Sequence, residues 1–160
     1  MGKVKEEIAQ YLKKNSYCVL STCRKDVPRA TPIRYWSDGL NIIVFSEKYT
    51  AKFNFLKKNT SVSLGIYSAR RPLRGLQLWG KAEIITHKDP RHDTYLPARV
   101  KKNPRMKAAG KILNLILIVP DKIVMLDQSR KGKHFLCWEV DKKGNEKEKE
   151  MKSLRAVSKL

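Results

Sequence analysis

A chain of 160 residues, 41% of them hydrophobic, has the size of one ordinary domain and enough apolar side chains for a core, which excludes wholesale disorder. Lys and Arg number 35 against 15 Asp and Glu, a formal charge of +20 that favours anionic partners such as nucleic acid, an anionic membrane surface or phosphorylated small molecules. No apolar run approaches the roughly 18 residues of a membrane span. The best of them, Ile112 to Val119, is interrupted by Asn114. The opening residues, Met1 to Gln10, carry charges of both signs and lack the apolar stretch of a secretory leader. Cys18, Cys23 and Cys137 are odd in number and form no CxxC pair, so reduced thiols in a cytoplasmic protein are expected. No cluster of Cys and His has zinc-ligand spacing, and no metal site is expected.

In chain order, Lys3 to Lys14 places Val4, Ile8, Tyr11 and Leu12 on one helix face. Tyr17 to Thr22 reads as a buried strand, Arg24 to Pro28 as a polar turn, and Arg29 to Trp36 as the second strand of a hairpin. Pro32 marks that second strand as an edge or a bulge, because proline cannot donate to the ladder. After a turn at Ser37-Asp38-Gly39 comes a strand from Leu40 to Ser46, then a short helix from Thr50 to Lys58 with Thr50 at its N-cap. Ser61 to Tyr67 and Leu76 to Thr86 are strands, with Gly80 predicting a bulge or bend in the second. His87 to Leu96 reads as a short helix and Arg99 to Lys111 as an exposed basic loop. Ile112 to Leu126 reads as a long strand broken at Pro120-Asp121, and His134 to Val140 as a last strand. Residues 1–140 thus form one domain. Residues 141–160 are a charged tail in which Met151, Leu154 and Val157 recur every three residues, giving either a docking helix or a frayed end. Six or seven strands with helices lodged between them predict a mainly β barrel with helical insertions.

The order of several short pieces is specific. It comprises Val19 to Thr22, Pro28 to Tyr35, Val44 to Ser46, Thr50-Ala51-Lys52, Asn59 to Leu64, Gly80 to Glu83 and Val119 to Ile123. This set resembles the pyridoxamine 5'-phosphate oxidase-like flavin-binding split barrels. The resemblance implies a six-stranded split barrel that dimerises, with flavin mononucleotide (FMN) in a cleft between the subunits. It places Thr31, Pro32, Ile33, Arg34 and Tyr35 along the isoalloxazine ring, largely through backbone groups, and Ser46, Thr50 and Lys52 at the phosphate. The oxidases proper usually carry an Arg-Lys pair where this chain has Ala51-Lys52, and their Arg-rich carboxy-terminal signature has no clear counterpart here. Flavin binding survives these departures better than oxidase activity does.

Independently of any family, a helix start with a hydroxyl and a nearby ammonium makes an anion cradle, which is what Ser46, Thr50 and Lys52 offer. Arg29 and Arg34 are read as lying on one face of their strand, either as a solvated edge or with Arg34 beside the flavin's pyrimidine side. Trp36, Trp79 and Trp138 divide between core and ring stacking, with Trp79 next to Gly80 the best stacking candidate. His87, His92 and His134 read as exposed side chains, with haem ligation as the competing reading. The cysteines read as small buried hydrophobes, although Cys23 lies beside Arg24 and Lys25. The basic runs at Arg70, Arg71 and Arg74, at Lys101, Lys102, Arg105, Lys107 and Lys111, and at Arg130, Lys131 and Lys133 are either solvated surface, a polyanion footprint, or a vestibule for an anionic substrate or nicotinamide donor. The leading reading is a cytoplasmic, homodimeric, FMN-binding oxidoreductase with no membrane contact. The alternatives are a basic β-barrel that binds nucleic acid or another polyanion without redox chemistry, and the same fold carrying haem or a deazaflavin.

Overall fold

Amphipathic spacing sets the first element. In the computed structural model, which describes residues 2–68, 70–96 and 114–153, helix α1 (Lys3–Lys14) buries Val4, Ile8, Tyr11 and Leu12, the four positions its periodicity marks. Strands β1 (Tyr17–Arg24) and β2 (Val27–Arg34) form a hairpin whose turn residues Lys25 and Asp26 both have positive φ, at 48° and 62°. That primed turn matches the twist of the strands it joins. Then follow β3 (Trp36–Asp38), β4 (Asn41–Ser46), α2 (Ala51–Leu56), β5 (Ser61–Ser68), β6 (Arg74–Ile85), α3 (His92–Tyr95), β7 (Asn114–Asp127), β8 (Phe135–Val140) and β9 (Glu146–Met151).

All nine described strands belong to one antiparallel sheet in the order β2-β1-β5-β6-β7-β4-β3, with β8 also on β7 and β9 on β8. The sheet wraps a core that includes Leu20, Ile42, Leu78, Ile116, Ile118 and Ile123, and β2 comes up against β4. β6 pairs with β7 along its whole length. On its other edge, β7 serves β4 from Asn114 to Ile118 and β8 from Lys122 to Leu126. The register between β6 and β7 shifts at Trp79/Gly80, where Asp121 is the residue left over. A Cβ on Gly80 would collide with the Val119 carbonyl and stand 2.8 Å from the Pro120 Cα, so glycine is required for this close approach.

Three expectations need correction. The barrel class holds, but the sheet has nine strands among the described residues rather than six or seven. Pro120-Asp121 does not break β7, because the bulge absorbs the extra residue while the strand continues. Residues 146–151 of the segment read as a tail form β9 instead of a helix. Their Glu-Lys alternation is a period of two, and it sets Lys149 3.6 Å from Glu139 across the ladder. The basic loop from Arg99 to Lys111, together with Leu154 and Val157, lies outside the described residues.

β9 also holds α1. That helix has no side-chain cap of its own, and Glu148 Oε2 accepts from the Val4 N–H at 3.1 Å instead. Lys5 bonds Glu146 at 2.5 and 2.8 Å, and Arg130 bridges Glu7 of α1 to Glu150 of β9.

At the other end of β6, Arg74 donates through Nε to Asp127 Oδ1 at 3.0 Å, and the same oxygen accepts from the Ser129 N–H and hydroxyl. Burial raises the Asp127 pKa, but the bonds from Ser129 and Arg74 outweigh it and hold the carboxyl below its ordinary value. Its stabilising contribution is therefore complete above the unfolded value of about 3.9 and is lost as pH falls through the folded one. We expect Asp127→Asn to cost about 2 kcal/mol at pH 7, the worth of a hydrogen bond to a charged group. In urea titrations the gap to the parent should shrink below about pH 4.

Candidate functional site

A cleft of about 310 Å³ opens between β2 and the start of α2, lined by Arg29, Thr31, Thr50, Ala51 and Lys52. Alternation along β2 puts Arg29 and Thr31 on the same face, while β4 ends at the buried Ser46 and delivers the loop that enters α2. Thr50 occupies the N-cap position but does not cap with its side chain. Its hydroxyl donates to the Glu47 carbonyl at 2.9 Å and lies 3.0 Å from Ser46 Oγ. Those contacts fix the loop geometry just before Lys52. Burial lowers the Lys52 pKa, Glu47 opposes the lowering, and the nearby Arg29 adds to it. Two cations sharing one cleft repel each other, and an anion placed between them relieves that repulsion. The cleft is lined by no acid, so its donor set suits a phosphate group.

β2 pairs with β1 alone and is an edge strand, as Pro32 predicted. Every second backbone N–H and C=O on its free side therefore lacks a ladder partner and is open to the edge of a planar heterocycle. The side chains of the strand divide between two environments. Ile33 packs on the core, whereas Arg34 is exposed with its guanidinium 5.8 Å from the Tyr17 ring centroid. Arg29 and Arg34 do not share a face: five positions is an odd spacing, and a period of two sends them to opposite sides. Tyr35 leaves the candidate set. Its phenol is 1% exposed and donates to the Leu12 carbonyl at 3.0 Å, and its N–H is bound by Ser16. Arg29 joins the set instead, and its spacing of two from Thr31 was the available signal.

The outward face of β1, β5 and β6 carries Tyr17, Val19, Tyr67 and Trp79, all substantially exposed. Trp79 stands on this face and not in the β2–α2 cleft, so the structure does not bring it together with Lys52. The other tryptophans are structural: Trp36 donates to the Tyr95 carbonyl at 3.1 Å, and buried Trp138 donates to Glu146 at 3.2 Å. His92 is buried, contrary to its reading as exposed, with Nδ1 3.5 Å from Asp93. Cys18 and Cys137 are buried as expected, and burial pushes the Cys18 thiol up to about 12. Of the basic runs, Arg74 and Arg130 are committed to carboxylates. Among the described residues no group of three His, Cys, Asp or Glu is placed to hold a metal, and no helix is long and apolar enough to cross a membrane.

A barrel with this split edge and this cleft has the architecture of the flavin-binding split barrels. The chain belongs to the pyridoxamine 5'-phosphate oxidase family, whose model matches residues 4–117. Among solved structures, it is similar to a pyridoxamine 5'-phosphate oxidase-related, FMN-binding protein from Nostoc punctiforme, with TM-score 0.66, 12% identity and coverage of 93% of each chain. It is also similar to an FAD-binding protein from Mesorhizobium loti, with TM-score 0.61, 14% identity and coverage of 75% of this chain and 90% of that one. A third similar structure is an F420 reductase, with TM-score 0.56, 22% identity and coverage of 77% and 98%. No curated relative matches the chain.

The environment of Lys52 gives a direct test. Competitive acetylation across pH should place the Lys52 midpoint below the ordinary lysine value of about 10.4. Arg29→Gln should move it upward, because removing a neighbouring cation favours the ammonium. A midpoint that ignores Arg29 would place the guanidinium outside the cleft.

Proposed function

We propose that the chain binds FMN and works as a flavin-dependent oxidoreductase, with the β2–α2 cleft as the phosphate site. The observation that carries this reading is the convergence of Arg29 and Lys52 on one cleft lined by Thr31 and Thr50. Lys52 and Arg29 pair with the phosphate, while Ser46 and Thr50 hold the loop in place. The free edge of β2 offers backbone groups to the ring system, and Arg34 stands on the outward side as a nearby cation. Bound flavin supplies the hydride or electron transfer, so no acid–base constellation is demanded of the protein. Family membership and the flavin- and F420-linked names of similar folds support a redox role.

The exposed apolar residues Tyr17, Val19, Tyr67 and Trp79 form a patch suited to a second copy, and a homodimer is part of the proposal. Its excess positive charge favours an anionic substrate or nicotinamide donor.

Lys52→Ala should weaken FMN about ten- to a hundredfold, from loss of a charged hydrogen bond worth about 1.5–3 kcal/mol, and leave riboflavin nearly unchanged. Fluorescence titration with both ligands measures this. Equal losses would show that Lys52 does not address the phosphate. Sedimentation equilibrium of the flavin-loaded protein should give twice the chain mass, and a monomer that holds FMN tightly would remove the second copy from the site.

A further inference from the structure

Two pairs of cations that lie far apart in the sequence reach one end of the barrel. β1 pairs with β5 only as far as Thr22 opposite Val62, so the hairpin tip, with Arg24 and Lys25, projects beyond the start of β5 at Ser61. The segment that leads into β5 is the end of α2, which packs against β1 and is followed by Lys57 and Lys58. Lys48 stands in the loop that enters the same helix. All five are exposed, and none forms an ion pair among the described residues. Elsewhere Lys5, Arg74, Arg91 and Arg130 are each held by carboxylates.

Across residues 24–29 and 47–58 seven Lys and Arg face two acids, Asp26 and Glu47. Like charges left unpaired repel one another, and an anion that spans them relieves the repulsion. These cations are spread over a hairpin tip, a loop and a helix end, so the anion that meets them carries several charges along its length. What this end lacks separates the possible partners. A protein interface is built around an apolar core, and the only large exposed hydrophobics on these segments are Val27 and Tyr49. A nucleic-acid interface is carried by charge and needs no such core. Tyr49 is 80% exposed, and the Lys48 ammonium lies 5.0 Å from its ring centroid. A ring that can stack a base thus stands beside a cation that can meet its phosphate.

We propose that the β1–β2 hairpin tip and the two ends of α2 form an interface for single-stranded nucleic acid, with Arg24, Lys25, Lys48, Lys57 and Lys58 on the phosphates and Tyr49 stacked on a base. None of these residues lines the β2–α2 cleft, and the interface stands whether or not that cleft holds a flavin.

Fluorescence anisotropy of the full chain with a labelled oligothymidylate of about 20 nucleotides, at about 50 mM NaCl, tests this. The parent should bind saturably, with an affinity that falls steeply as salt rises. Arg24→Gln, Lys25→Gln, Lys57→Gln and Lys58→Gln combined remove four phosphate contacts. That should lower the slope of log K against log salt by about 3 and the affinity at least about thirtyfold. Each pair changed alone should account for about half of the loss in slope. A control combining Lys14→Gln, Lys131→Gln, Lys142→Gln and Lys143→Gln has the same net charge and should lose less than about threefold. Tyr49→Ala should weaken the oligonucleotide about fivefold and leave heparin, a polyanion without bases, unaffected, while Tyr49→Phe should restore the parent affinity. Urea midpoints should match the parent's, because every altered side chain is exposed. Flavin absorbance on the same samples reports the FMN reading separately. The proposal is overturned if the parent shows no saturable binding, or if both combined variants lose affinity equally, which would make net charge the whole cause. It is equally overturned if a duplex of the same length binds more tightly than the single strand.

Discussion

The close approach of Gly80 to Val119 is the constraint on which the rest of the architecture depends. Two strands of 12 and 14 residues that stayed in simple register would make a long, regularly twisted ribbon. The extra residue at Asp121 shifts the register, and β7 then offers one edge to two different partners in succession. β4 takes the first half, and the loop after it must return across the barrel end to reach β5. That return carries Ser46, Thr50 and Lys52 to the edge strand β2. The cleft is a consequence of the split. A Cβ at position 80 would strike backbone rather than a movable side chain, so the fold has no inexpensive way to relieve it.

The second organising feature is the division of charge. Carboxylates are concentrated where α1 meets the carboxy-terminal hairpin: Glu146 holds Lys5, Glu7 and Glu150 hold Arg130, and Glu148 caps the helix through the Val4 N–H. A carboxylate at a helix N-terminus also answers the helix dipole, so Glu148 both accepts from the Val4 N–H and offsets the positive end of α1. Gly2 belongs to the same arrangement, since a Cβ there would run into the Glu148 carboxylate. With so many acids occupied at that junction, few are left to neutralise the β2–α2 cleft. Glu47 is the one that acts on Lys52, and its carbonyl is engaged in holding the loop.

Much of this was legible in the sequence because two periodicities report burial directly. The α1 face and the strand segments follow from spacing alone, and Gly80 announced its bulge by standing where a period-two pattern has no use for glycine. What stayed hidden depended on contacts across the chain. The Glu-Lys run at 146–150 resembles solvated tail until its partner β8 is known, because only a ladder distinguishes alternating charge from disorder. Tyr35 looked like part of a ligand-lining strand, yet the strand ends one residue earlier and the phenol turns inward to Leu12. Thr50 and Lys52, which line the cleft, stand two residues apart in the sequence, and Ser46 meets the Thr50 hydroxyl at 3.0 Å behind them. Arg29 and Arg34 are five positions apart, an odd spacing, so they stand on opposite faces of β2 and only Arg29 reaches the cleft.

Two surfaces of opposite chemistry thus lie on one small barrel. β1 and β2 share a ladder, and the period of two sorts their side chains without regard to function: Thr22, Leu20 and Cys18 face Arg29, Thr31 and Ile33, while Tyr17 faces Arg34. The inward set runs out of core at the hairpin end, so Arg29 emerges there into the cationic cleft. The outward set meets no second layer among the described residues, and there the exposed Tyr17, Val19, Tyr67 and Trp79 stand among the polar Ser21, Ser63 and Gln77.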